Sequence, residues 1–256
     1  MSERNKIGVT IITLNEEKDL PKCIESLGFA DEIVVVDSGS SDKTAEVAKK
    51  LGAKVYIEPW RGYGAQKNRA MELCDADWVL NVDADEVITP ELRDEILSEI
   101  KNSSQDSAFA ISRKTFYWGK WIRHGGWYPN YVTRLARKGH ARWTEPNVHE
   151  ELVSNQGVRR LKNSMEHYTF QGLSDQIATN LRYARQGAHD LYQKGARPSL
   201  LKLLLKPLSK FFETYIIKKG FLDGLAGFVI SVNAAHSMFL KYAFLYEIHL
   251  KEANGV

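Results

Sequence analysis

The chain has 256 residues, of which 43% are hydrophobic, 26% charged and 11% aromatic, a composition that excludes disorder and leaves room for a full-sized core. Its two cysteines, Cys23 and Cys74, lie in no CxxC or Cys/His cluster; this excludes a disulfide framework and a structural zinc and fits reduced thiols in a cytoplasmic protein. The net charge of +3 is unevenly spread, with 12 Lys/Arg against 21 Asp/Glu in residues 1–100, 12 against 5 in 101–170 and 11 against 6 in 171–256, so carboxylate or metal chemistry is expected early and contact with an anionic partner later.

The first residues carry no secretion-signal pattern and run directly into an apolar strand. Four short β-branched or apolar runs, Gly8 to Leu14, Glu32 to Asp37, Lys54 to Glu58 and Trp78 to Asp83, read as strands. Between them Asp19 to Leu27, Asp42 to Leu51 and Ala65 to Cys74 have helical spacing and polar or glycine boundaries. Strands alternating with helices of this length predict right-handed crossovers and a parallel sheet covered on both faces, with ligands at the carboxyl ends of the strands.

Each predicted strand ends in polar residues: Thr13-Leu-Asn15-Glu16-Glu17, Asp37-Ser-Gly-Ser-Ser-Asp42, Trp60-Arg-Gly62-Tyr-Gly64 and Asp83-Ala-Asp85-Glu86. Helix capping accounts for Ser41 or Asp42, and turn formation for Gly62 and Gly64. Three carboxylates within four residues at a buried strand end repel one another and either stay protonated or take up a divalent cation, while a solvated acidic turn is the plain structural alternative. Residues i and i+2 of an extended segment point the same way, so Asp83 and Asp85 face one rim while Glu86 begins the next turn. Oxygen-only ligands suit Mg²⁺ or Mn²⁺ completed by substrate phosphates.

At this point the sequence resembles the inverting family 2 glycosyltransferases. The resemblance rests on Thr13-Leu-Asn15-Glu16, Val-Val-Asp37-Ser-Gly-Ser-Ser-Asp42-Lys-Thr44, Gln66-Lys67-Asn68 and Asn81-Val-Asp83-Ala-Asp85-Glu86, in family order over the first 90 residues. Asn147-Val-His149-Glu150 and Gly220-Phe-Leu-Asp223-Gly224 extend it toward the branch that holds bacterial lipopolysaccharide core β-glucosyltransferases. The resemblance implies an α/β, GT-A (Rossmann-like, mostly parallel) fold over residues 1–170 and a helical region over 171–256. It implies a metal-dependent transfer of a hexose, glucose by this branch, from a UDP-sugar to a lipid-linked saccharide, with the lipopolysaccharide inner core as the expected acceptor.

By the same resemblance Thr13, Asn15, Glu16 and Gln66 line the nucleotide-sugar pocket, Asp37 meets the base or ribose, and Lys67 lies near the diphosphate. Asp83 contacts ribose and, with Asp85, a Mg²⁺ or Mn²⁺ ion. Arg134 either faces the donor phosphates or pairs with a carboxylate. Glu150 is the expected base for the acceptor hydroxyl, with His149 as the alternative and Glu145 and Glu151 as neighbouring competitors.

Trp118, Trp121 and Trp127 lie among glycines and cations in residues 116–128, an arrangement suited to stacking on an acceptor sugar, although core packing accounts for one of them equally well. In Ser199 to Lys219, Lys202, Lys206 and Lys210 recur every four residues while leucine and phenylalanine fill much of the rest. This predicts a helix on an anionic membrane surface, bent or restarted at Pro207. Gly224 to Leu240 carries no charge over 17 residues, the lower edge of a bilayer span, but Asn233 and His236 interrupt it and favour peripheral attachment to the inner face of the cytoplasmic membrane.

Two other readings are weaker. A nucleotidyltransferase needs a glycine-rich basic triphosphate loop where this chain has Thr-Leu-Asn-Glu-Glu. A noncatalytic membrane-bound binding protein is a different class, which release of UDP from a donor sugar would exclude. The acidic first part and the lack of a recognition motif argue against a nucleic-acid partner.

Overall fold

A computed structural model describes residues 5–102, 108–145 and 150–254. The elements run β1 (Ile7–Thr13), α1 (Leu20–Glu25), β2 (Glu32–Asp37), α2 (Thr44–Lys50), β3 (Lys54–Ile57), α3 (Tyr63–Leu73), β4 (Trp78–Asn81), β5 (Glu86–Val87), α4 (Pro90–Asn102), β6 (Ala108–Tyr117), β7 (Lys120–Trp121), β8 (Asn130–Arg137), β9 (Ala141–Trp143), β10 (Leu152–Ser154) and β11 (Val158–His167). Three helices follow, α5 (Leu173–Gln193), α6 (Leu200–Phe212) and α7 (Gly224–Ala253), with a π-helical turn at Glu213–Ile217 and a 3₁₀ turn at Gly220–Asp223 between the last two. The chain divides into two compact units, Met1–Lys114 with Asn130–Tyr168, and Thr115–Pro129 with Thr169–Val256.

In the first unit the sheet runs in the order β3-β2-β1-β4-β8-β6-β11-β5. Its first four strands are parallel, as the alternation of strands and helices predicts. The strands after β4 pair antiparallel, β4 with β8, β8 with β6 and β11 with β5. The result is a mixed, Rossmann-like sheet flanked by helices.

The sheet is covered on both faces because its central strands are apolar at consecutive positions. On one face Val35, Trp78 and Leu80 pack with Leu20, Leu27, Ala48, Leu92 and Ile96. Their strand neighbours Val34, Val36 and Val79 turn to the other face and pack with Ala70, Met71, Trp143 and Leu152. Parallel pairing then fixes where the strands end: Thr13 is the register partner of Asp37, and Thr10 that of Asn81. The polar tails that follow these residues therefore leave from one rim of the sheet.

The second unit is built on α5, α6 and α7 with the hairpin formed by β7 and the end of β6. Tyr117, Ile122, Ala226 and Ile230 form its small core, with Trp127 and Phe170 packed against them. Gln176 supports this core with a buried acceptor, its Oε1 receiving hydrogen bonds from Tyr117 Oη at 2.6 Å and Asn233 Nδ2 at 2.8 Å. The segment Gly220–Ala253 is long and apolar enough to cross a membrane by length and composition. Asn233 on that helix bonds Gln176 of α5, and the Arg185 guanidinium carbon of α5 lies 5.1 Å from the centre of the Phe244 ring. α6 continues through Pro207 without ending there.

One tight approach in the first unit has a direct test. A Cβ on Gly8 of β1 would lie 2.1 Å from Cys74 Sγ and 3.0 Å from Ala76 Cβ. Gly8→Ala is expected to destabilise the protein by about 1–3 kcal/mol in urea denaturation, and adding Cys74→Ala is expected to restore part of that loss by removing the nearer clash.

Candidate active site

The loops after β1 and β2 are fastened to each other before any ligand arrives. The buried Asp37 carboxylate accepts four hydrogen bonds, from Thr13 Oγ1 at 2.8 Å, Ser40 Oγ at 2.5 Å, and the Gly39 and Ser40 amides at 3.0 and 2.8 Å. Asn15, held at φ +59°, donates its amide to Ser40 Oγ, and its Oδ1 accepts from the Ser41 amide, both at 2.8 Å. The Glu16 amide donates to Thr44 Oγ1 at 2.8 Å. Asp42 caps the start of α2 from just outside it, its Oδ1 accepting from the Thr44 amide at 3.0 Å, a short polar side chain in its favoured role.

α3 brings Gln66, Lys67 and Asn68 to the same rim. It comes close because residue 64 is glycine: a Cβ there would sit 2.0 Å from the Thr144 carbonyl oxygen. Asn68 then clamps β9, its Nδ2 donating to the Trp143 carbonyl and its Oδ1 accepting from the Trp143 amide, both at 2.9 Å. Trp143 in turn donates Nε1 to Asn81 Oδ1 at 3.0 Å and presents its ring to Lys67 Nζ at 4.5 Å. Gln66 is fully buried, and among the described residues its Oε1 has no hydrogen-bond partner.

Charge is compensated around Asp83 and left in excess around Asp85. Asp83 pairs with Lys67 Nζ at 3.2 Å and with the Arg134 guanidinium. Arg134, itself buried, also donates to the buried Glu86 at 2.7 Å. Arg113 stands 3.8 Å from Glu86, and Glu86 Oε2 accepts the Asp83 amide at 2.9 Å. Lys67 Nζ reaches Glu150 Oε1 at 2.9 Å, so one ammonium joins the metal-motif aspartate to the expected base. Burial opposes ionisation of Asp83, but Arg134 and Lys67 outweigh it and hold the carboxyl well below the usual carboxylate range. Asp83 and Glu86 likewise hold the buried Arg134 above its ordinary value.

On the other side Asp85 has His167 Nε2 at 3.3 Å and lies in the field of Glu16 and Asp19. Burial, then the charges of Asp85, Asp19, Asp42 and Asp83, push the Glu16 carboxyl up to about 7. Burial and Asp85 also raise Asp19, against Lys18 and Lys22. An excess of carboxylate charge beside an imidazole suits a divalent cation. Among the described residues no three Asp, Glu, His or Cys side chains form a metal group by themselves.

The sequence-predicted residues fall into three groups. Thr13, Asn15, Glu16, Asp37, Gln66, Lys67, Asp83, Asp85, Arg134 and Glu150 all belong to the first unit, on β1, β2, α3, β8 and the segments beside them, and Arg134 pairs with Asp83 and Glu86. His149 lies outside the described residues. Of the neighbouring carboxylates, Glu145 Oε1 accepts from Asn68 Nδ2 at 3.0 Å and Glu151 is exposed.

The three tryptophans belong to the second unit. Trp118 is exposed and stacks on Tyr117 at 5.8 Å, Trp121 meets Phe116 edge-on at 5.1 Å, and Trp127 is packed against the small core. His167 and Trp143 join the site without any motif to mark them. The tripeptide Met165-Glu166-His167 carries no motif, and only the antiparallel pairing of His167 with Glu86 brings it to Asp85. Cys23 and Cys74 are buried thiols pushed up by burial, Cys74 to about 12, which leaves no thiolate nucleophile here.

A mixed Rossmann-like sheet with a D-x-D segment just after its fourth strand, facing a lysine of the preceding helix, defines a glycosyltransferase of the GT-A fold. The chain belongs to glycosyl transferase family 2, whose profile matches residues 9–163. It is 34% identical to the lipopolysaccharide core biosynthesis glycosyltransferase LpsC of Rhizobium meliloti (strain 1021) over 95% of this chain and 93% of that protein. It is also 34% identical to an uncharacterized glycosyltransferase of Rickettsia bellii (strain RML369-C), over 96% of this chain and 88% of the relative. The structure of Staphylococcus aureus TarS 1-349 in complex with UDP-GlcNAc shares the fold, with a TM-score of 0.53 at 17% identity over 98% of this chain and 92% of that one.

The two halves of the site predict different responses. Replacing Arg134 by Met leaves the buried Glu86 with Arg113 alone, 3.8 Å away, and is expected to cost about 3–5 kcal/mol in urea denaturation. Glu16 has a folded-state value above its unfolded one, so the folded protein holds the extra proton between about 4.5 and 7 and its stability contribution falls as pH rises through that window. In chelator, Glu16→Gln is therefore expected to raise the melting temperature more at pH 8 than at pH 4.

Proposed function

We propose that this glycosyltransferase moves a hexose, glucose in the simplest case, from a UDP-sugar to a lipid-linked saccharide of the lipopolysaccharide inner core type, with inversion at the anomeric carbon and with Mg²⁺ or Mn²⁺. The observation that carries this reading is the divided charge at the rim. Asp83 is compensated by Lys67 and Arg134, while Asp85 faces an excess of carboxylates and His167. The relative LpsC, a lipopolysaccharide core biosynthesis glycosyltransferase, supports the choice of acceptor.

In this reading Thr13, Asn15, Glu16, Asp37 and Gln66 shape the nucleoside pocket, and the buried, unpartnered Gln66 Oε1 is an acceptor available to a donor N–H or O–H. Arg134 acts by fixing Asp83 in place. Asp85, with Asp83 beside it and His167 at 3.3 Å, would hold the cation, which when bound supplies Lewis-acid stabilisation of the leaving diphosphate. Lys67, between Asp83 and Glu150, is placed to offer positive charge to the same phosphates.

Glu150 takes the proton of the acceptor hydroxyl as that oxygen attacks the face of the sugar opposite the leaving group. At rest it pairs with Lys67 at 2.9 Å. Engagement of Lys67 by the incoming phosphates loosens that pair and frees the Glu150 carboxylate to meet the acceptor hydroxyl. Residues 171–256 serve in docking the acceptor at the cytoplasmic side of a membrane, and Trp118, the exposed tryptophan, offers a face to its sugar.

A panel of UDP-sugars with Mn²⁺ or Mg²⁺, scored by thermal shift and by slow release of UDP without acceptor, is expected to single out one hexose and to lose its signal in chelator. Asp85→Asn is expected to weaken the metal response by at least about tenfold. Glu150→Gln is expected to keep donor binding while slowing transfer by about 10² or more. A panel in which no nucleotide sugar is bound or hydrolysed would refute the reading.

A further inference from the structure

The outer face of α6 is apolar, exposed and bordered by lysines. Leu201, Leu204, Leu205, Leu208 and Phe212 recur at helical spacing, and all are more than half exposed. Single exposed leucines are ordinary, but five on one face of one helix mark a binding surface. The inner face of the same helix is already taken: Leu203, Pro207 and Phe211 are half-buried, and Phe211 meets Phe228 of α7 edge-on at 6.0 Å. Exposed apolar residues continue along the chain with Ile216, Ile217, Phe221, Leu222 and Leu225.

Lys202, Lys206 and Lys210 follow one another every four residues beside the apolar stripe. Lys206 and Lys210, with Lys241 of α7, crowd like charge together, and Lys241 is held below its ordinary value first by burial and then by these two neighbours. Glu213 pairs with Lys210 at 3.1 Å and with Lys218 at 2.5 Å, so acidic relief is confined to the end of the helix. An apolar stripe edged by cations complements a surface that offers acyl chains just beneath anionic groups.

We infer that α6 lies flat in the interface of an anionic lipid bilayer, with Leu201, Leu204, Leu205, Leu208 and Phe212 inserted and Lys202, Lys206 and Lys210 at headgroup level, and that α7 stays out of the bilayer as the helix on which α6 rests. This deepens the reading above by naming the surface that meets the membrane. The turn after α6 carries the same contact to the aromatic loop. Asp223, buried at its end, accepts from the His124 amide at 2.8 Å and the Arg123 amide at 3.1 Å, and the Lys218 carbonyl accepts from the Gly125 amide at 2.9 Å. Residues 123–125 are thus tied to the turn that leaves the membrane-facing helix, which sets this loop near the headgroups where a lipid-linked saccharide begins.

The test is co-sedimentation of the full chain with phosphatidylcholine vesicles, with and without about 30% phosphatidylglycerol, alongside sedimentation analysis of oligomeric state and UDP release without acceptor. The wild type is expected to bind the anionic vesicles, and less tightly as salt rises. Leu204→Glu/Leu208→Glu, on exposed positions, is expected to keep its melting temperature and UDP release and to bind at least about tenfold more weakly. Lys202→Glu/Lys206→Glu is expected to lose the preference for anionic lipid.

Absence of wild-type binding, or binding unchanged in the leucine variant, overturns the inference. So does a wild-type dimer that the leucine variant splits without changing vesicle binding, which would give the face to a second copy. Extraction only by detergent would overturn it in favour of a spanning α7. Vesicle binding as expected without turnover of any UDP-sugar would instead count against the proposed activity and leave the membrane surface standing.

Discussion

The catalytic unit depends on one buried cation. Arg134 on β8 bridges Asp83 and Glu86, which lie after β4 and at the start of β5. A guanidinium removed from water in this way is tolerated because it is paired with the equally buried Glu86 and with the partly buried Asp83. The bridge spans the point where the sheet changes from parallel to antiparallel pairing, β4 being parallel to β1 and antiparallel to β8. The arrangement that fixes the D-x-D segment is therefore also the one that joins the two halves of the sheet.

The unequal surroundings of the two aspartates follow from that bridge. Once Arg134 and Lys67 compensate Asp83, the repulsion expected from three neighbouring carboxylates no longer falls on all of them. It concentrates on Asp85, Glu16 and Asp19, where burial raises the cost of each further negative charge. Two carboxylates one residue apart thus have different electrostatic duties. One is a fixed anion held by Lys67 and Arg134, and the other stands among further carboxylates.

The second unit obeys a different logic. Its interior is small and partly polar, with Gln176 receiving both Tyr117 and Asn233, and much of its apolar surface faces outward. A chain that leaves so many leucines uncovered on one helix retains the hydrophobic driving force for another partner. The lysines beside them select the kind of partner by charge.

The alternation of apolar strands and helices, the polar strand ends and the order of the motifs were all legible in the sequence, because period and turn chemistry are local properties of the chain. So were Asp83, Asp85, Lys67 and Glu150 as candidates, and the lysine repeat of residues 202–210. Which partner each charge would take was a matter for the tertiary structure alone: Arg134 and His167 lie 51 and 82 residues beyond the aspartates they meet, and only strand pairing brings them there. The same holds for Trp127, whose core position is set by contact with Tyr117 and Phe170, and for the outward face of α6. Sequence specifies which groups the chain carries, whereas their charge state and exposure depend on distances that exist only once the chain has folded.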